Sequence, residues 1–371
     1  MNEIKITCPC HFGLESVLKF EASKIGGRDI TVSDGKVSFF GDIAMIAKAN
    51  LWLSTAERVL ICLGEFDACS FEELFQGVKA LPLEDYIGEK DRFPVKGYSL
   101  NSELHSVPDC QSIIKKAAVE RLKSKYGISY FEETGAAYTI RFSILKNRVS
   151  VYLDSSGEGL HKRGYRRNSN AAPIKETLAA GIVDLARVRG DSAVCDPFCG
   201  SGTILIEAAY KALNIAPGLK RSFAAEKWSF IPSNVWADER ASAMAAIRKD
   251  TDFFAYGYDI DPECVALTQE NCRKAGVKNR VEIRQADIRS YENRGGTVTI
   301  CNPPYGERLL ELREAEDLYK IMGQRFSANR ESPCYVISPH EEFEKIFGKQ
   351  ADKRRKLYNG MLKCQLYMYF R

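Results

Sequence analysis

The fold of this chain is decided by the stretch Val194-Cys195-Asp196-Pro197-Phe198-Cys199-Gly200-Ser201-Gly202-Thr203, where an apolar strand turns into a helix. Its two glycines allow a tight turn and a close approach of the backbone to a ligand. Outward from this turn, short apolar runs alternate with longer helical patterns. The predicted strands are Ala193–Asp196, Phe254–Asp259, Val281–Arg284, Val298–Cys301 and Cys334–Ile337. This alternation predicts a doubly wound, mostly parallel α/β sheet.

The chain ends in a predicted antiparallel hairpin. Lys356–Tyr358 and Met361–Phe370 flank Asn359-Gly360, a strong turn signal between two strands. We expect this hairpin to close one edge of the sheet.

The turn at Gly200 and Gly202 differs from a dinucleotide fingerprint. The third glycine of that fingerprint is missing, and Leu205 takes its place. Asp196 stands at the strand tip, where a carboxylate would repel a pyrophosphate and attract a cationic, methionine-like group. These features favour S-adenosylmethionine over a nicotinamide dinucleotide as the ligand.

Acidic residues follow the next two strands. Asp259 lies at a strand tip, where its carboxylate can accept both ribose hydroxyl hydrogens. Asp261 precedes Pro262, a pattern typical of a helix N-cap, so we assign it to structure. Asp287 is a candidate acceptor for the adenine amine, although a cap or loop role explains it equally well.

Two further features belong to the predicted cofactor site. Ile260 and Ile288 are candidates to sandwich the adenine ring. The span from Asp196 to Asp259 is much longer than the ~20 residues of a simple dinucleotide unit. We therefore expect Ile215 to Lys249 to form an insertion over the mouth of the cofactor site.

The sharpest chemical signal is Asn302-Pro303-Pro304-Tyr305, which directly follows a predicted strand. The prolines fix the backbone and remove two N–H donors, leaving the Asn302 side-chain oxygen and the Pro303 carbonyl as acceptors. Two acceptors can hold both hydrogens of an exocyclic base amine and direct its lone pair at a methyl group. Tyr305 is a candidate to stack on an extruded base, or else a packing aromatic.

The pattern of short strands and helices in the first 157 residues predicts smaller α+β units. A predicted helix at Gln111–Tyr126 carries an apolar stripe, with lysines such as Lys115, Lys116 and Lys123 largely off it. Taken alone, such a face is more often solvated than bound to phosphate. The glycine-rich stretch 155–159 and the basic cluster after it predict a linker at residues 158–170.

Composition limits the class of protein. The 371 residues carry a net charge of +4, which is compatible with nucleic-acid binding but does not require it. We find no signal-peptide pattern and no apolar run long enough to span a bilayer, and therefore expect a cytoplasmic protein. Cys8, Cys10 and His11 stand close together, but their spacing does not fit a usual zinc site, so we expect no metal.

Longer motifs resemble one enzyme family. LHSVPDCQSIIKKAAVERL (104–122), GEGLHKRGYRRNSNAAPIKETLAAGIVDLA (157–186) and DPFCGSGTILIEAA (196–209) are similar to the THUMP-containing bacterial rRNA guanine-N2 methyltransferases of the RlmL and YpsC type. The resemblance covers nearly the whole chain. It implies a ferredoxin-like domain at 1–60, an RNA-binding THUMP domain at 61–157, and a Rossmann-like class I methyltransferase domain at 171–371. It also implies a guanosine 2-amino group in large-subunit rRNA as the target, with tRNA possible because THUMP domains serve both RNAs.

The resemblance also implies residue roles. The cofactor loop falls on Asp196 to Thr203, including Pro197, Phe198, Gly200 and Gly202, and the catalytic motif falls on Asn302 to Tyr305. Ala172–Thr177, which contains Pro173, is similar to the segment that closes over the methionine end of the cofactor. The implied RNA contacts are Lys115, Lys116, Lys123, Arg163, Arg166 and Arg167.

Three other classes remain open from the residues. An adenine-specific DNA methyltransferase would use the same Asn-Pro-Pro-Tyr chemistry, but the N-terminal region resembles an RNA-binding module. A non-catalytic RNA-binding or assembly factor with a methyltransferase fold is disfavoured by the intact Asn302 and cofactor loop. A nicotinamide dehydrogenase is disfavoured by Asp196 and the absent third glycine.

Overall fold

The computed structural model describes residues 3–166, 173–292, 295–306, 309–327 and 332–370. Within these ranges the chain forms two seven-stranded sheets, one in each half. Among the α-helices of these ranges, none combines the length and apolar character that a membrane span requires.

The N-terminal half contains one continuous sheet with helices packed against it. Its strands are β1 (Ile4–Pro9), β2 (Arg28–Ser33), β3 (Lys36–Gly41), β4 (Leu60–Asp67), β5 (Val95–Leu100), β6 (Ile140–Leu145) and β7 (Arg148–Asp154). Its α-helices are α1 (Glu15–Lys24), α2 (Ile43–Trp52), α3 (Phe71–Lys79) and α4 (Val107–Tyr126). The strand order is β2-β3-β1-β4-β7-β6-β5, and β4 pairs with both β1 and β7. The ferredoxin-like and THUMP parts therefore share a sheet through β4.

The C-terminal half contains the predicted methyltransferase sheet. Its strands are β8 (Ala193–Asp196), β9 (Phe254–Asp259), β10 (Val281–Gln285), β11 (Thr297–Cys301), β12 (Cys334–Ser338), β13 (Lys353–Asn359) and β14 (Leu362–Tyr369). Its α-helices are α5 (Glu176–Leu185), α6 (Thr203–Ala212), α7 (Ser233–Ala245), α8 (Pro262–Ala275), α9 (Leu309–Ser327) and α10 (Phe343–Phe347). The order is β10-β9-β8-β11-β12-β14-β13, with the first five strands parallel and β14 antiparallel to both neighbours. The Rossmann-like sheet and its C-terminal hairpin are thus confirmed, and β8 lies at the switch point where ligands bind.

Local sequence signals explain several boundaries. Asp261 caps α8, because its side chain accepts the Glu263 N–H (2.8 Å) and Pro262 occupies the first turn. Gly127, with φ of 67°, ends α4 in the left-handed conformation that glycine adopts without strain. These positions confirm the predicted structural role of Asp261 and the predicted end of the α4 helix.

The segment predicted as a linker contains buried residues. Ser155, Ser156 and Arg163 are at most 2% exposed. The Ser155 hydroxyl donates to the Val59 carbonyl oxygen (2.7 Å), and the Ser156 hydroxyl donates to Asn50 Oδ1 (2.7 Å). Small polar residues can enter a core when each hydroxyl has a partner, so the predicted linker packs partly against the N-terminal half.

The segment Ile215–Lys249 does not lie over the cofactor mouth, and that prediction is wrong. It follows the carboxyl end of α6, away from the edge of the sheet that carries the Gly200 turn. Its Trp228 stacks on Tyr138 of the N-terminal half, with ring centroids 4.6 Å apart, and donates from Nε1 to the Ala137 carbonyl oxygen (3.0 Å). The insertion therefore joins the two halves of the molecule.

Candidate active site

The turn after β8 is held by groups from β9 and α8. The Gly200 N–H donates to Asp259 Oδ2 (2.9 Å), and the Thr268 hydroxyl donates to the Gly200 carbonyl oxygen (2.7 Å). Gly202 has φ of 80°, and a Cβ there would lie 2.7 Å from the Thr268 side chain. Both constraints require glycine at position 202.

Asp196 is buried at the tip of β8. Its carboxylate accepts a hydrogen bond from the Phe198 N–H (3.0 Å), and 1% of the residue is exposed. Burial raises the pKa of Asp196 to about 8, and the negative charge of Asp259 contributes in the same direction. The predicted cofactor loop from Asp196 to Thr203, which includes Pro197, thus begins at a buried carboxyl group whose ionised form a cation would stabilise.

Asp259 lies at the tip of the neighbouring strand β9. Its Oδ1 accepts the Asp261 N–H (3.0 Å) while its Oδ2 accepts the Gly200 N–H. Each carboxylate oxygen can accept a further hydrogen bond, so ribose hydroxyls can still be bound. Ile260 is 63% exposed, which leaves an apolar surface beside this carboxylate.

Asp287 adopts the cap role that the sequence left open. Its carboxylate accepts the Arg289 N–H (2.8 Å) and pairs with the Arg289 guanidinium (2.8 Å), and the backbone contact lowers the pKa of Asp287. A cavity of about 200 Å³ nevertheless lies beside it, lined in part by Pro197, Tyr258 and Ile288. Its adenine role therefore remains a prediction.

The Asn-Pro-Pro-Tyr motif follows β11 at the same sheet edge as Asp196, because β11 pairs in parallel with β8. The Tyr305 hydroxyl donates to Asn302 Oδ1. The Tyr319 hydroxyl donates to the Pro304 carbonyl oxygen (2.9 Å), whereas the Pro303 carbonyl accepts no hydrogen bond from the residues that the structure describes. The motif thus contains two oxygen acceptors, the Asn302 side-chain oxygen and the Pro303 carbonyl, at the end of β11.

Tyr305 is half-buried and packs against the catalytic core, which fits the packing alternative better than a freely exposed stacking ring. Burial raises the pKa of Tyr305, so its hydroxyl keeps its proton. Asn359 Nδ2 donates to the same hydroxyl (3.4 Å). Two residues at this motif carried no signal for such a role in the sequence: Asn359, which was expected only in the hairpin turn, and Tyr319, which lies on α9.

The predicted closing segment lies beside the start of α6. Of this segment, the structure describes Pro173 to Thr177. Glu176 pairs with Arg166 (2.7 Å), and Arg166 also donates to Thr203 Oγ1 (3.4 Å). Burial raises the pKa of Glu176 to about 7, against the opposing effect of Arg166. Arg166 was predicted to contact RNA, but its side chain is 12% exposed and faces the cofactor loop.

The buried Arg163 cannot contact an RNA phosphate, and that prediction is wrong. Its side chain is 2% exposed and pairs with Glu207 (3.3 Å), while its guanidinium also donates to the Leu160 carbonyl oxygen (2.8 Å). The Tyr165 hydroxyl donates to the same Glu207 carboxylate (3.1 Å). Arg167 lies outside the described residues.

The lysines of α4 that were predicted to contact RNA differ in their exposure and in their contacts within the protein. Lys115 contacts Glu133, and its Nζ lies 3.5 Å from the centroid of the Phe93 ring. Lys116 is exposed and Lys123 is half-buried. Lys116 and Lys123 therefore remain the predicted lysines with the clearest access to RNA.

No metal centre is evident. Within the described ranges, no group of three or more His, Cys, Asp or Glu residues is arranged to hold an ion. Cys8 and Cys10 are buried, and His11 instead contacts Glu57 (3.1 Å).

A cavity of about 500 Å³ between α1, α2, α5, α6 and the insertion lies apart from the predicted active site.

Comparison with known families agrees with this architecture. The RMKL-like methyltransferase domain matches residues 163–368, more than half of the chain. The RlmL ferredoxin-like domain matches residues 5–60, and the THUMP domain matches residues 68–154. The chain belongs to the RMKL-like methyltransferase family.

Two relatives show how far the similarity extends. The putative RNA methyltransferase YpsC of Bacillus subtilis is 42% identical over 100% of this chain and 97% of its own length. The ribosomal RNA large subunit methyltransferase K/L of Psychromonas ingrahamii is 33% identical over 97% of this chain. The chain spans about half the length of that second relative, with 49% covered.

Solved structures share the whole fold. A putative methyltransferase, SMU.472, determined in complex with SAH, has 39% identity and a TM-score of 0.93, covering 100% of this chain and 98% of its own. A structure described as a predicted N6-adenine-specific DNA methylase from Listeria monocytogenes has 43% identity and a TM-score of 0.94, covering 100% and 97%. The protein is an S-adenosylmethionine-dependent methyltransferase, as its cofactor loop predicted.

Proposed function

We propose that this protein methylates the exocyclic 2-amino group of a guanosine in RNA, with large-subunit rRNA as the favoured substrate. One observation carries the proposal: Asn302-Pro303-Pro304-Tyr305 follows β11 at the sheet edge where β8 ends in Asp196. This juxtaposition supports a role for Asn302 and the Pro303 carbonyl as amine acceptors beside the predicted cofactor site. The assignment of guanine and of rRNA comes from the family resemblance.

The proposed chemistry rests on positioning. When bound, S-adenosylmethionine supplies a methyl group activated by the positive charge on sulfur. Asn302 Oδ1 and the Pro303 carbonyl each accept one hydrogen of the amine, which directs the nitrogen lone pair at that methyl group. The amine becomes acidic only after transfer, so its proton leaves without a strong base. Because Tyr305 already donates to Asn302, the base amine either shares that oxygen or displaces the hydroxyl.

RNA recognition is assigned to the N-terminal half. A domain that matches the THUMP family occupies residues 68–154, and the two relatives named above are described as RNA or rRNA methyltransferases. The exposed Lys116 and the neighbouring Lys123 lie on α4 in this half. We assign them to phosphate contacts, which would carry affinity without sequence specificity.

Adenine in DNA is the second candidate, because the Listeria relative is described as a DNA methylase of that type and the same motif suits an adenine amine. A single experiment separates the two. RNA and DNA from cells lacking the gene are incubated with purified protein and S-adenosylmethionine, and the nucleosides are analysed by mass spectrometry. We expect 2-methylguanosine to increase in large-subunit rRNA, and the Asn302→Ala protein to produce far less of it in the same time.

Other outcomes of this experiment would change the proposed substrate or the proposed function. An increase confined to tRNA would keep the chemistry and change the substrate, whereas N6-methyladenine in DNA would favour the second candidate. If no nucleic acid gained a methyl group although the protein bound its cofactor, a non-catalytic assembly role would gain support.

A further inference from the structure

Groups from three parts of the chain converge on the carboxylate of Glu57, which follows α2 in the N-terminal half. His11 Nε2 lies 3.1 Å from Glu57 Oε1, and Lys175 Nζ lies 3.3 Å from Oε2. The Thr177 hydroxyl donates to Oε1, and His161 Nδ1 lies 3.8 Å from Oε2. Since Lys175 and Thr177 belong to the catalytic half, this carboxylate bridges the two halves.

The position of Glu57 is also fixed by its backbone. Its N–H donates to the Pro9 carbonyl oxygen (2.7 Å), and its carbonyl oxygen accepts the Leu160 N–H (2.9 Å). The Glu57 side chain is 22% exposed, so solvent screens its contacts only in part. Burial alone would raise the pKa of Glu57, but its contacts with His11, Thr177 and Lys175 hold that pKa well below its usual range.

The segment that Glu57 holds is the one beside the cofactor loop. Lys175 and Thr177 flank Glu176, which pairs with Arg166 (2.7 Å), and Arg166 donates to Thr203 at the start of α6 (3.4 Å). Two sets of polar contacts, joined by the backbone of residues 175–177, thus link Glu57 in the N-terminal half to the start of α6. Removing one end would free the closing segment, with no loss of any group predicted to touch the cofactor.

We infer that Glu57 is a positioning residue through which the N-terminal half sets the affinity of the catalytic half for S-adenosylmethionine. It acts by holding Thr177 and Lys175, and through them the Glu176–Arg166 pair against Thr203. The inference rests on the proposed placement of residues 173–177 beside the cofactor. It concerns cofactor binding, so it does not depend on which nucleic acid or base is methylated.

The test measures S-adenosylmethionine binding to the full chain by calorimetry, together with KM for the cofactor and kcat. We expect Glu57→Ala to raise the dissociation constant about tenfold, a usual size for coupling between sites, with kcat at saturating cofactor changed less than about threefold. Glu57→Gln keeps an acceptor for Thr177 and should lie between the wild type and Glu57→Ala. Thr177→Val removes the contact between Thr177 and Glu57 from the side of the catalytic half, with little change in side-chain volume. This variant replaces Glu57→Ala in the test if Glu57→Ala folds poorly.

A double-mutant cycle and a matched control decide the interpretation. If Glu57 acts through Thr177, the double variant should bind the cofactor no more weakly than the weaker single variant. Arg355→Gln removes another contact between the halves, from Arg355 Nη2 to Ser16 Oγ (3.3 Å), and should leave cofactor binding unchanged. Wild-type affinity in both folded single variants would overturn the inference, and so would an equal loss in Arg355→Gln, which would indicate general loosening of the halves.

Discussion

We expect the buried carboxyl group of Asp196 to make cofactor binding depend on pH. Burial raises the pKa of Asp196 to about 8, so in the free protein this group is protonated at neutral pH. For an acid, a raised folded-state pKa means that ionisation opposes folding, and its cost grows as pH rises from the unfolded pKa of ~4 towards 8. A cationic ligand favours the ionised form, so binding should release a proton.

We expect affinity for S-adenosylmethionine to increase by up to about tenfold per pH unit from pH 6 to 8 and then to level off. Calorimetry across this range, in buffers of different ionisation enthalpy, measures both the affinity and the proton released. Asp196→Asn should bind more weakly and lose the pH dependence. A wild-type affinity that does not vary with pH would show that Asp196 does not titrate with the cofactor.

Asn302 should act on the chemical step and leave cofactor binding intact. Asn302→Ala removes an acceptor that orients the amine, and comparable single groups contribute about 10²–10³ in kcat. We expect a loss of that size in single-turnover methyl transfer, with the cofactor dissociation constant unchanged. Asn359→Ala is a suitable control, because Asn359 contacts the motif only through the Tyr305 hydroxyl and should cost much less. Equal losses in the two variants would contradict a direct role for Asn302.

Arg163 should matter for stability and not for RNA affinity. Arg163→Met leaves the buried Glu207 without its cation, a change that typically costs about 3–5 kcal/mol. Urea unfolding should show this loss, and adding Glu207→Gln should recover part of it. Filter binding should show unchanged RNA affinity for Arg163→Met under native conditions and reduced affinity for Lys116→Ala. The reverse pattern would restore Arg163 as an RNA contact.

At the scale of elements, the helix glycines contact neighbouring elements. A Cβ at Gly323 in α9 would lie 1.8 Å from the Phe347 carbonyl oxygen of α10. A Cβ at Gly181 in α5 would lie 2.3 Å from the end of the Leu14 side chain, which can move. An alanine at position 323 would therefore meet backbone, whereas an alanine at position 181 would meet a side chain that can move, so we expect the two substitutions to differ in their effect on stability.

Gly323→Ala should therefore destabilise the protein, although alanine favours a helix by about 1 kcal/mol over glycine. We expect a net loss of about 1–3 kcal/mol in the free energy of unfolding, because α10 must move away from α9. Gly181→Ala should cost less in the same denaturant titration. A stabilised Gly323→Ala protein would mean that the helices separate readily.

At the scale of the whole molecule, the two halves share their cores. Trp228 from the catalytic half stacks on Tyr138, and Leu14 from the N-terminal half packs in the core of the catalytic half. We expect the chain of 371 residues to unfold in one calorimetric transition. Trp228→Ala should lower the free energy of unfolding by about 3–5 kcal/mol while keeping that transition single.

Phe12→Ala provides the matched control for Trp228→Ala. Phe12 is 55% exposed and makes an edge contact with Tyr358, with ring centroids 6.0 Å apart. Its loss should shift the transition much less. Two well-separated transitions in the wild-type protein would show that the halves fold independently.

The sequence by itself determined the catalytic fold and predicted which residues meet at the candidate site. The Gly200–Gly202 turn, Asp259 and Asn302 each follow a short apolar strand, and carboxyl ends of parallel strands meet at one sheet edge. The local signal Asp261-Pro262 also placed a helix start correctly, because a cap depends on neighbouring residues. The hairpin turn falls on Gly360-Met361, one residue later than predicted, because Asn359 still pairs with Leu362 in the sheet. Hydrophobic periodicity and the residues next to an element boundary are therefore sufficient to predict these features.

Only the tertiary structure decided what the charged and polar residues between the domains do. Arg163 and Ser156 belong to a segment whose composition predicts solvent exposure, yet they are buried because Glu207 and Asn50 supply partners distant in sequence. The same holds for Glu57, whose contacts Lys175 and Thr177 follow it by more than a hundred residues. Hydrogen bonds and ion pairs of this kind depend on which surfaces meet, and periodicity within a segment carries no information about its distant partner.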